Sequence, residues 1–136
     1  MKWIRVPSRA LSITLVACVI QVITFLMPWM VVYDIELDNV LSFNGLGSGS
    51  LTTVVGGETV SLSFAYQLRY LAILSLALII ASAALLVRAL RSLSERGLIE
   101  KKLRRSMVFS IMVGELLGFL HAGLFFLGCG AVEMVE

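Results

Sequence analysis

The stretch ALSITLVACVIQVITFLMPWM, residues 10 to 30, carries no charged side chain. At ~1.5 Å per residue it is long enough to cross a hydrocarbon core of about 30 Å as one helix. Two further runs share this reach, Tyr70 to Val87 and Met107 to Cys129, the last interrupted only by Glu115 and His121. Outside the runs the lysines and arginines are concentrated in two stretches, the second of which also holds Glu95 and Glu100. Lys2, Arg5 and Arg9 precede the first run, and Arg88, Arg91, Arg96, Lys101, Lys102, Arg104 and Arg105 fill the connection between the second and the third. Asp34, Glu36, Asp38 and Glu58 lie between the first two runs, Glu133 and Glu136 follow the third, and Arg69 sits at a span edge. The positive-inside rule assigns the basic stretches to the cytoplasm.

The expected fold is therefore a membrane all-α bundle of three transmembrane helices, with a small extracytoplasmic antiparallel β-sheet between helices 1 and 2. The chain is expected to be multi-pass in the cell membrane, with its N-terminus cytoplasmic and its C-terminus extracytoplasmic. It forms a single membrane domain over residues 1–136: a first span at 10–30, an external β-region at 31–65, a second span at 66–90, a basic cytoplasmic turn at 91–105 and a third span at 106–130. A soluble helical bundle, the rival reading, gives no reason for this placement of the cations.

Composition agrees. Of 136 residues, 59% are hydrophobic and 15% charged, outside the range of soluble globular domains. A net charge of +2 says little here, because placement rather than the sum carries the information. The start of the chain also resembles a signal sequence, and Leu15-Val16-Ala17-Cys18 looks like a lipobox. The apolar run continues past Cys18 to Met30, where a processed lipoprotein would turn polar, so an uncleaved span is expected. Cys18 and Cys129 are the two cysteines. Cys18 lies roughly a dozen Å below the outer end of its helix, which puts the pair at different depths and favours free thiols. With one histidine beside them, no metal-ligand spacing exists and no cofactor is expected.

The polar region Val31 to Ala65 reads as strand. Tyr33, Ile35 and Leu37 alternate with Asp34, Glu36 and Asp38, the period of a half-wet sheet. Gly56-Gly57 separates Leu51–Val55 from Glu58–Phe64, a two-residue hairpin signal that pairs Val55 with Glu58. This register puts Leu51, Val60, Leu62 and Phe64 on one face and Thr52, Thr59, Ser61 and Ser63 on the other. Asn44 to Ser50 is glycine-rich and is expected to be a mobile loop joining the two halves. So small a sheet is marginal in water, so its apolar face is expected to rest on the membrane, the helix ends or a neighbouring subunit.

A first span ending in Leu26-Met27-Pro28-Trp29, an external β-segment, a second span opening with Phe64-Ala65-Tyr66-Gln67-Leu68-Arg69, and a short basic turn resemble the layout of the claudin and peripheral-myelin-protein group. The group's tryptophan, glycine-leucine-tryptophan and paired-cysteine signature is absent from the sheet region, and there are three spans rather than four. The resemblance implies a self-associating membrane protein whose external sheet makes lateral contacts.

In the third span Ser106, Ser110, Gly114, Gly118 and Ala122 recur every four residues. At ~100° per residue they form a drifting stripe of small side chains that lets another helix approach closely. The partner is either in this chain or in another subunit. Ala77 and Ala81, with Ser82 to Ala84, are the candidate internal partner. Glu115 and His121 lie on or beside the stripe and should face protein rather than lipid, because an unpaired charge there costs several kcal/mol. Depth places Gln21 and Ser82 near Glu115, and Thr24 and Ser75 near His121, giving two polar layers that fix helix register. The sharper alternative makes Glu115 a proton-relay or quinone-site carboxylate and His121 a haem ligand or proton carrier.

Between the spans, Arg91, Arg96, Lys101, Lys102, Arg104 and Arg105 are positioned to hold anionic lipid head groups. Nucleic acid is not an expected partner, since no aromatic residues are interleaved with the cations. No nucleophile, metal set or phosphate loop is present, so no enzyme acting alone is expected. The expected function is a non-catalytic structural or accessory subunit of a membrane assembly, with the lipid bilayer and other subunits or copies of itself as partners. The alternative is a membrane-anchor subunit of a respiratory or other redox complex.

Overall fold

The computed structural model describes residues 2–36, 38–128 and 130–135. The strand position expected for Leu37, the thiol of Cys129 and the charge of Glu136 lie outside these residues. The described chain folds as β1(Trp3–Ile4), α1(Ser8–Leu26), β2(Pro28–Asp34), β3(Asn39–Asn44), β4(Ser48–Val55), β5(Glu58–Tyr66), α2(Arg69–Arg96), β6(Ile99–Glu100), α3(Lys101–Phe126) and β7(Val132–Val135). All three helices are long and apolar enough to cross a membrane.

The ends of the helices follow from local chemistry. Pro28 has no amide hydrogen to continue α1, and the β-branched pair Val31-Val32 favours the extended chain that follows. The first apolar run is thus split between helix and strand, and β2 takes its last residues. Gly97, at a φ of 69°, accepts the left-handed turn that ends α2, as the glycine at a helix C-terminus commonly does. The amide of Gly97 donates to the Leu93 carbonyl at 2.8 Å. Ile99–Glu100 then pairs antiparallel with Trp3–Ile4, a contact not anticipated from sequence.

Residues 28 to 66 form one continuous meander, and β7 adds a fifth strand in the order β2-β3-β4-β5-β7. The Gly56-Gly57 hairpin has Val55 opposite Glu58 and Leu51 opposite Leu62, the register read from the sequence. Both glycines have positive φ, as a primed turn needs. Two expectations are corrected. The alternation from Tyr33 to Asp38 is not a strand throughout: β2 stops at Asp34, whose carboxylate accepts from the Glu36 amide at 3.1 Å, and Asp38 turns with φ 52°. Local side-chain bonding of this kind competes with the ladder. Asn44 to Ser50 is likewise not a loose linker. Asn44 Oδ1 accepts from the amides of Leu46 and Ser48 at 3.0 and 3.1 Å, which closes a tight turn between β3 and β4. A third correction concerns the end of the third span: α3 ends at Phe126, and Val132–Val135 pairs with β5.

The chain divides into two compact units, Met1–Ile23 with Leu74–Leu117, and Thr24–Ile73 with Gly118–Glu136. In the first, Leu11, Cys18, Ile79, Leu86, Ala89, Ile99 and Met107 form the buried core. Along α2 the buried positions are Ala72, Ser75, Ile79, Ser82, Leu86 and Ala89, a strict alternation of three and four residues that is the seam of close helix packing. Ala77 and Ala81 are exposed and are not that seam. The second unit is centred on Phe25, Phe43, Ala65, Tyr66 and His121, all buried.

Gly45 is required by a close approach. A Cβ there would lie 2.6 Å from Trp29 Nε1 and 2.8 Å from the Phe25 Cα, and the Phe25 backbone cannot rotate away. Gly45→Ala is expected to destabilise the protein by about 1–3 kcal/mol, measured by thermal unfolding in detergent. Gly123→Ala, where an added Cβ meets nothing within 4 Å, is expected to be neutral or stabilising in the same assay.

Candidate functional site

The most buried polar side chain with no obvious structural task is His121. Its exposure is 0%, and neither ring nitrogen has a hydrogen-bond partner among the described residues. Three rings surround it. Trp29 and Tyr66 lie at centroid distances of 5.7 Å, inclined at 54° and 72°, and Phe125 stacks at 6.2 Å and 22°. The tilted pairs are favourable aromatic arrangements, and they permit an N–H or C–H edge to meet a π face.

Each wall is positioned by a local device. Trp29 sits in the register shift between Pro28 and Met30, a bulge of the kind that re-aims a side chain. Its Nε1 donates to the Thr24 carbonyl at 2.9 Å, the same oxygen that accepts from the Met27 amide at 3.3 Å at the end of α1. The indole also stacks on Phe25 and Phe126 at 5.7 Å each. Tyr66 ends β5, where its amide donates to the Gly47 carbonyl at 2.7 Å. The next residue ties down the chain beyond α3: the Gln67 amide donates to the Ala131 carbonyl at 2.7 Å, and Gln67 Oε1 accepts from the Ala131 amide at 3.1 Å.

Neither polar neighbour expected for His121 bonds its ring nitrogens. Ser75 Oγ donates to the Gly114 carbonyl at 2.6 Å, and the Thr24 carbonyl takes the indole. The layer at His121 is aromatic instead of polar. At Glu115 the expected Gln21 is in place, with Nε2 donating to Glu115 Oε2 at 3.1 Å. Ser82 Oγ turns to its own helix, donating to the Leu78 carbonyl at 2.7 Å, as buried serines in apolar helices often do. Among the described residues no group of His, Cys, Asp and Glu is arranged to hold a metal ion.

The small-residue stripe has several environments. Gly114 faces α2, where a Cβ would lie 3.1 Å from Ile79 Cδ1 and 3.2 Å from Leu78 Cβ. Gly118 is buried, Ser110 and Ala122 are half-buried, and Ser106 is exposed, donating to the Lys102 carbonyl at 3.1 Å. Sequence reading missed Trp29, Tyr66 and Phe125 as the walls around His121. The available signal was their position beside helix ends, where aromatic side chains concentrate when one end is apolar and the other wet.

Comparison with protein-family models, curated proteins and solved structures returns no match.

The arrangement predicts an unusual mutational response. A buried imidazole with no partner pays desolvation without return, so His121→Phe is expected to keep or raise the melting temperature, because both unpaired nitrogens disappear. Glu115→Leu, by contrast, strands the Gln21 amide and should cost about 1–3 kcal/mol, while Glu115→Gln, which preserves an acceptor, should cost less than half of that. Thermal melts of the three variants in one detergent check the ordering.

Proposed function

We propose that this chain is a non-catalytic structural or accessory subunit of a membrane assembly. It is multi-pass in the cell membrane, and it associates laterally with copies of itself or with other subunits. The observation that carries the reading is the free edge of the sheet. Among the described residues β2 pairs with β3 on one side only, and Val31, Val32 and Tyr33 along it are 41%, 50% and 69% exposed. Natural sheets blunt such edges with lysine, proline or bulges. Here the proline and the bulge both fall at the start of the strand, leaving an apolar stretch with open backbone donors and acceptors for a partner strand.

Charge placement supports the orientation. The basic residues before α1 and between α2 and α3 fit the cytoplasmic side. The sheet and the turn between β2 and β3, with Asp34, Glu36, Asp38, Glu58 and Glu133, fit the opposite side. Outward-facing Ile13, Val16, Ile20, Ile73, Ile80, Met112 and Leu116 fit contact with lipid. The layout shared with the claudin and peripheral-myelin-protein group, an apolar helix followed by an antiparallel sheet and a second apolar helix, is in keeping with lateral assembly.

A second reading, an anchor subunit of a redox complex, draws on the unpartnered nitrogens of His121. An absorption spectrum of gently extracted protein separates the two: visible haem absorption lost in His121→Phe favours the anchor, a colourless assembly the structural subunit.

The structural reading predicts that Val32→Cys, in a chain without native cysteines, gives a covalent dimer or a defined adduct with another subunit in native membranes. Val32→Lys with Tyr33→Lys is expected to reduce the assembly to monomer in native mass spectrometry at unchanged helical content. A wild-type chain that is monomeric and partnerless in its own membrane would overturn the reading.

A further inference from the structure

We propose that the α3 face from Lys101 to Met112 binds one anionic phospholipid, with its phosphate held by Lys101, Arg104 and Arg105 and an acyl chain laid along Val108, Phe109 and Met112. The proposal rests on the membrane reading above and adds to it a specific ligand and site. These six residues line a concavity of about 480 Å³. Their spacing of three and four residues puts them within one arc of the helix. The three cations cluster at one end, and the three apolar side chains fill the rest, with Val108, Phe109 and Met112 46%, 68% and 66% exposed.

The groove lacks an internal counter-charge. Among the described residues, Lys101, Arg104 and Arg105 form no ion pair. Glu100, their neighbour in sequence, pairs with Lys2 at 3.6 Å. The other basic residues of this region are differently engaged. Arg91 approaches Glu95 at 4.0 Å, the Arg96 guanidinium lies over the Trp3 ring at 5.2 Å, and Lys102 lines a separate hollow with Arg88 and Glu100. Of the six head-group candidates in the sequence, three therefore converge on one site.

Charge and length choose the occupant. A helix docking here would have to bring acids to match three cations, whereas an anionic phospholipid carries its negative charge at one end and an apolar chain at the other. The rise from Lys101 to Met112 is roughly 16 Å, about half of a hydrocarbon core, so the site fits a lipid of a single leaflet. The face is also not needed for internal packing. Gly114, which meets α2, lies about 160° around the helix from Met112 at ~100° per residue.

The test is native mass spectrometry of the full chain in detergent, titrated with phosphatidylglycerol or with phosphatidylcholine of the same acyl chains. The expected result is one tightly retained phosphatidylglycerol, preferred at least tenfold over phosphatidylcholine and not displaced by millimolar inorganic phosphate. Lys101→Gln with Arg104→Gln and Arg105→Gln should weaken retention roughly a hundredfold, and Phe109→Ser with Met112→Ser should weaken it severalfold. Arg91→Gln with Lys102→Gln should leave it unchanged. Equal retention of both lipids, displacement by phosphate, or a lipid-free dimer abolished by the triple variant would each overturn the site. A chain that stays dispersed without detergent would instead overturn the membrane reading beneath it.

Discussion

Pro28 has no amide hydrogen to extend α1, and the residue after it sits in a bulge that turns an indole back toward the helix end. That indole donates to the Thr24 carbonyl and stacks on Phe25 and Phe126. It also forbids any side chain at Gly45. The second compact unit depends on this one placement. Without the bulge, strand alternation would direct the ring elsewhere, His121 would lose a wall, and the β3–β4 turn would lose the surface against which Gly45 is pressed.

A different rule governs the first unit. Its helices bury small and polar side chains such as Ser75, Ser82 and Gly114 beside the bulky Ile79 and Leu86, so close approach and hydrogen bonding add to the burial of apolar residues. Ser75 and Gly114 illustrate it. The serine hydroxyl of α2 reaches the carbonyl of Gly114 on α3 at 2.6 Å, a contact that the missing side chain of the glycine makes room for. Gln21 and Glu115 join α1 to α3 in the same manner.

Sequence reading found the three apolar helices and the register of the Gly56-Gly57 hairpin, because each is encoded within a few adjacent residues. It also placed Gln21 and Ser82 beside Glu115, of which Gln21 makes the bond, since depth along two helices narrows the partners of a lone carboxylate. The failures are of another kind. Asn44 to Ser50 has the composition of a flexible linker, yet one side chain, Asn44, holds it as a turn. β7 and β6 are too short to announce themselves and exist only because a distant strand offers an edge. Ala77 and Ala81 are small, but their spacing alone does not say which side of α2 faces α3, and the seam of Ser75, Ile79 and Ser82 lies elsewhere.

The position of β7 bears on how the protein is made. β2 to β5 are complete once residue 66 has left the ribosome, but the strand that covers β5 is separated from it by α2 and α3. For the time taken to synthesise about 65 residues, at roughly 5–20 residues per second, the growing chain carries an open strand edge. Closing it needs a contact of long sequence separation, which is slow to form relative to a hairpin. The nascent meander must therefore survive for seconds with both of its edges unpaired, a period in which pairing with a neighbouring nascent chain competes with its own completion.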